Sequence, residues 1–158
     1  PDVFDEQFPN RANAFQFDTD TRNIFICADS KRLLSAFLEL LSNAAEADNS
    51  CGSIQIHSHV NACGHTVTVS VTGKGSLSEI NPSEMQTNPL IDADAPLTAQ
   101  LSTPFFSTKE NHAGLGLSIV AQVCHTHHAG FELYSRNGFT TAGITFPILA
   151  MDDMRNTI

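Results

Sequence analysis

One stretch narrows the choice of folds more than any other: residues 104–120, PFFSTKENHAGLGLSIV. Here Gly114-Leu115-Gly116-Leu117 runs without a break into an apolar helical pattern. Glycine lets the backbone approach a neighbour closely, and the first amides of a helix have no partner within it. Such a turn serves either tight packing of the helix or the cradling of an anion. Lys109, just upstream, adds a mobile positive charge to the second use.

A chain of 158 residues and 17.1 kDa suits one domain. With 41% hydrophobic and 16% charged residues it has the make-up of a folded globular protein. No run of eighteen apolar residues occurs, so we expect a soluble, cytoplasmic chain without membrane contact. The formal charge of -9, with Lys31-Arg32 the one adjacent basic pair, argues against nucleic acid. Four cysteines without a CxxC favour reduced thiols, and Cys27 and Cys124, in apolar runs, are expected in the core. Because the chain begins at Pro1, we expect an excised domain.

Residues 1–13 lack a sustained period and form a leading segment. Residues 14–18 alternate as a half-buried strand, and 23–27 (NIFIC) read as a second β-rich run. Asp29-Ser30 supplies a helix N-cap, and residues 31–47 carry Leu33, Leu34, Phe37, Leu38, Leu40, Leu41, Ala44 and Ala45 at helical spacing. Its polar face holds Arg32, Glu39, Asn43 and Glu46; Glu39 and Asn43, four apart, stack on successive turns.

Residues 53–60 and 65–72 alternate as strands joined through Gly64. Periodicity fades over about 76–113, where a long connection marks a lid or binding loop. Residues 115–125 read as a helix, 131–135 and 140–149 as a hairpin, and 151–158 as a polar tail. Strands, helix, hairpin, lid, helix and hairpin predict an α+β two-layer sandwich, with helices on one face of a mixed, mostly antiparallel sheet.

Four blocks in order, 39–47 (ELLSNAAEA), Gly73-Lys74-Gly75, 104–109 (PFFSTK) and 114–120 (GLGLSIV), resemble the ATP-binding catalytic domain of bacterial sensor histidine kinases. That family is a branch of the gyrase, chaperone, kinase and mismatch-repair ATPases and has the Bergerat fold. The resemblance spans about residues 15–150 and implies Mg²⁺-dependent binding of ATP and phosphoryl transfer to a histidine. It makes Asn43 the Mg²⁺ ligand and Glu39 the catalytic position that activates or orients the attacking group. Gly73 and Gly75 become the turn around adenine, and Phe105, Phe106, Thr108 and Lys109 the lid segment over the nucleotide. Gly114, Leu115, Gly116 and Leu117 become the phosphate loop. Thr145 falls near a hydroxyl position of the last strand, with Ile144 the alternative if the register slips by one.

Two departures accompany these matches. The family's adenine-binding Asp, two residues before the first Gly of the turn, is Val71, and His112 replaces a glycine of the phosphate loop. Val71 cannot accept the hydrogen bond of the adenine amino group, a loss of about 1.5–3 kcal/mol. The resemblance therefore implies two alternatives, a kinase catalytic domain or a degenerate regulatory module that binds nucleotide weakly or not at all. In either case the partners it implies are a His-containing dimerisation domain outside this chain and a response regulator. Dimerisation would then run through segments outside this chain.

The histidines allow another reading. His57 and His59 share a strand face, while Cys124, His125, His127 and His128 cluster at a helix end. These spacings match no common zinc motif, and histidines at a helix C-terminus serve the macrodipole and the last carbonyls.

Overall fold

The computed structural model describes residues 15–19, 23–47, 53–75 and 116–149. Strands β1 (Phe15–Thr19), β2 (Ile54–Val60), β3 (Thr66–Lys74), β4 (Gly130–Arg136) and β5 (Phe139–Pro147) form one sheet in the order β1-β2-β3-β5-β4. β1 runs parallel to β2 and every other pairing is antiparallel, which gives the mixed sheet expected. Helices α1 (Ser30–Ala47) and α2 (Gly116–Thr126) cover one face. The leading segment, the whole of the long connection at 76–113 and the tail lie outside the described residues.

Local chemistry sets the element ends. Asp29 caps α1, its Oδ1 accepting the amides of Lys31 at 2.9 Å and Arg32 at 3.1 Å. The Arg32 amide is the main reason that the Asp29 carboxyl titrates below its ordinary range. Asn61 Oδ1 accepts the His65 and Thr66 amides in the β2–β3 turn. Asn137 and Gly138, with φ of 53° and 78°, make the left-handed two-residue turn between β4 and β5.

The core lies between the layers: Ala36, Leu40, Leu41 and Ala45 of α1 and Val120, Val123 and Cys124 of α2 meet Ile54, Val67, Val71, Ala142, Ile144 and Phe146. Burial of each large side chain contributes about 1.5–3 kcal/mol. It also pushes the Cys124 thiol up to about 11. Strand alternation sends the other residues outward, where Thr68 and Thr145, and Thr72 and Thr141, pair their hydroxyls at 2.8 Å.

Two expectations are corrected. Residues 23–27 form no strand: Ile24 and Ile26 pack against the core while the Phe25 carbonyl accepts one amide, that of Leu149 at 2.9 Å. Apolar alternation there reflects half-burial of a connection with no ladder beside it. Cys27 is exposed, because that connection turns its side chain away from the core that Cys124 occupies.

Candidate functional site

The apolar stripe of α1 faces the sheet, which leaves Glu39 and Asn43 on its flank, both half-buried. α2 packs antiparallel to α1: its first residue, Gly116, lies beside Glu39 and Asn43, and His127, just past its other end, meets Asp29 at the start of α1. A Cβ on Gly116 would stand 2.7 Å from Glu39 Oε2 and 3.6 Å from Asn43 Nδ2. Glycine at this position therefore keeps open the space into which a carboxylate and an amide project. The N-terminal turn of α2, which begins at Gly116, borders the same space. A helix N-terminus, a carboxylate and a side-chain amide thus adjoin, groups whose chemistry would fit a phosphate held with a hard cation.

On another side of the same half of α1 the arrangement differs. A Cβ on Gly73 would stand 2.9 Å from Ala44 Cβ and 3.3 Å from the Ala44 backbone. At Gly75, with φ 151°, it would stand 3.2 Å from Ala47 Cβ. Both glycines are needed here for close approach of strand and helix. Val71 is 2% exposed, on the helix-facing side of β3, with Ile56 and Ala142 as its cross-strand partners. Thr72, the nearest hydroxyl, points to the outer face and bonds Thr141.

Thr145 is not brought to this space. Its Oγ1 lies on the outer face with Thr68, and Ile144, fully buried, is the β5 residue that faces the helices. The register of β5 on β3 decides it, since Ala142, Ile144 and Phe146 share one face and Thr141 and Thr145 the other. Leu117 packs against the core. Phe105, Phe106, Thr108, Lys109, His112, Gly114 and Leu115 lie outside the described residues.

Of the histidines, His57 and His59 are exposed on β2 with ring centroids 5.4 Å apart. Among the described residues no three His, Cys, Asp or Glu side chains converge as a metal site. Sequence reasoning missed three contributors. Ala44 and Ala47 are the small residues against which the glycine turn closes. His127 joins the two helices, where the sequence shows only a histidine near a helix end. Their signal in the sequence is faint: an alanine in a helix is ordinary, and Asp29 and His127 are 98 residues apart. A groove of about 610 Å³ between the helices, lined by Arg32, Ser35, Ser118, Ile119, Gln122 and Val123, contains none of the predicted site residues.

Residues 28–150 match the family described as histidine kinase-, DNA gyrase B- and HSP90-like ATPase. The sensory histidine kinase/phosphatase NtrB of Rhizobium leguminosarum bv. phaseoli is 33% identical over 127 residues, 77% of this chain and 32% of that protein. The catalytic domain of the histidine kinase ThkA is similar at 28% identity and a TM-score of 0.67, with 92% of this chain and 85% of that one covered. The ThkA kinase solved in complex with the response regulator protein TrrA is similar at 26% identity and a TM-score of 0.65, over 93% of this chain and 37% of that one. The chain spans about a third of the length of the curated NtrB relatives it matches.

Proposed function

From a chain that belongs to the histidine kinase-, DNA gyrase B- and HSP90-like ATPase family, we propose the ATP-binding catalytic domain of a two-component sensor histidine kinase. Its reaction is transfer of the terminal phosphoryl group of ATP to an imidazole nitrogen on a separate dimerisation domain, with ADP as the leaving group. The observation that carries this reading is the meeting of Glu39, Asn43 and Gly116 at the start of α2.

Mg²⁺, when bound there, would supply positive charge that offsets the charge of the phosphate oxygens. Asn43 offers the cation its amide oxygen, and the first amides of α2 hold phosphate oxygens. The Glu39 carboxylate accepts a hydrogen bond from the attacking imidazole and so orients it. The Gly116 position keeps Glu39 and Asn43 clear of any side chain from α2. Lys109 and the aromatic pair Phe105 and Phe106 serve the lid in this reading, and a response regulator receives the phosphoryl group afterwards. The domain acts in the cytoplasm and dimerises through segments outside this chain.

A second reading has one specific support, the buried Val71. Nothing at that position accepts the adenine amino group, and Thr72 is committed to the outer face. A missing acceptor costs about 1.5–3 kcal/mol, roughly ten- to a hundred-fold in affinity. In this reading the fold persists as a regulatory or scaffolding module with weak or no nucleotide binding. Calorimetric titration of ATP and ADP with Mg²⁺ into the chain and into Val71→Asp separates the two. Micromolar binding by the unmodified chain removes the degenerate reading, and binding that emerges only in Val71→Asp establishes it. Absence of binding in both overturns the nucleotide reading altogether.

A further inference from the structure

His127 carries two hydrogen bonds that the phosphate site does not account for. Its Nδ1 lies 2.7 Å from the Val123 carbonyl, and its Nε2 lies 2.9 Å from the Asp29 amide. An amide can only donate, so Nε2 carries no proton and the ring is the neutral Nδ1–H tautomer, which donates to Val123. The Asp29 side chain caps α1, but it cannot serve its own amide; His127 does. The ring is held in turn by the closed end of α2. There the Ala129 amide donates to the Cys124 carbonyl at 2.8 Å, and His128 sits at φ 50°.

The helix pair is therefore tied at one end through Asp29 and His127 and left open at the other, where Gly116 faces Glu39 and Asn43. Between these ends the contact is apolar packing and a groove. Apolar packing is non-directional and permits small slides along the helix axis, whereas a hydrogen bond at 2.9 Å does not. We propose that His127 is a positioning residue for the nucleotide site: its Nε2 contact with the Asp29 amide fixes the advance of α2 along α1 and so the spacing of Gly116 from Glu39 and Asn43. This rests on the nucleotide reading of that space.

The two ring bonds can be separated by substitution. In His127→Gln the longer amide places an acceptor near the Nε2 position, which keeps the Asp29 bond and loses the Val123 bond. In His127→Asn the amide reaches only as far as Nδ1, with the opposite result. Ring ¹⁵N shifts of the unmodified chain are expected to report the Nδ1–H tautomer. Hydrogen exchange at the Asp29 amide is expected to accelerate in His127→Asn and to stay near the unmodified rate in His127→Gln. Affinity for Mg-ATP is expected to fall about ten-fold in His127→Asn and less than about three-fold in His127→Gln, within the usual range of coupling through a shared neighbour.

Val123→Ala, which destabilises α2 but keeps the Val123 carbonyl, is the control for mere loss of stability. An Nε2–H tautomer, an Asp29 amide indifferent to His127→Asn, or an affinity loss that Val123→Ala reproduces at equal melting temperature overturns the positioning role. Absence of Mg-ATP binding by both the unmodified chain and Val71→Asp overturns the nucleotide reading and the positioning role with it; the tautomer and exchange data then report the Asp29 contact independently.

Discussion

Two sides of α1 use glycine for opposite purposes. At Gly73 the space a side chain would need is already filled by Ala44, whose Cβ and backbone cannot retreat from the core. At Gly116 the space is bounded by the Glu39 carboxylate, the far end of a flexible side chain. The first glycine is therefore a packing requirement and the second a clearance requirement. Polarity follows the same division. The Glu39 and Asn43 side is half-buried and polar, and the side toward Val71 is closed and apolar. The first side carries groups whose chemistry would suit a phosphate, whereas Val71 on the second offers no acceptor to a base.

Three substitutions test that division, in falling order of effect. Asn43→Ala removes the amide oxygen offered to the cation. It should remove the Mg²⁺-dependent part of ATP affinity, a loss of about a hundred-fold, equivalent to about 2.7 kcal/mol. Titrations with and without Mg²⁺ measure it, and an unchanged Mg²⁺ dependence would mean that Asn43 is not the ligand. Gly73→Ala forces a Cβ against Ala44 and should cost about 2 kcal/mol of stability. That lowers the melting temperature by about 6 °C for a chain of this size; an unchanged melting temperature would remove the packing role. Gly116→Ala displaces only a movable carboxylate and should change stability by less than about 0.5 kcal/mol while still weakening Mg-ATP binding. If instead it destabilises the fold as much as Gly73→Ala does, the two glycines serve the same purpose and the division fails.

Much of the architecture was legible because it rests on local chemistry. The 3.6-residue spacing of residues 31–47, the alternation of 53–60 and 65–72, and the Asn137-Gly138 turn all correspond to observed elements within two residues. The stretch at 23–27 misled because half-burial alone produces alternation whether or not a neighbouring strand exists to pair with it. The phosphate side of the candidate site was legible as a set of residue types. Glu39 and Asn43 announce themselves four apart on one helix, and Gly116 opens the next.

The sequence by itself determined, residues 23–27 aside, which of the described segments become helices and strands, and that Val71 offers no acceptor, because spacing, turn residues and side-chain chemistry are properties of neighbours along the chain. Tertiary structure alone decided that Ile144 rather than Thr145 faces the helices, since a shift of one residue in strand pairing exchanges the two faces. It also decided that Gly73 closes on Ala44 and that His127 serves the Asp29 amide. Those contacts join distant segments, and no local preference encodes which pair will meet.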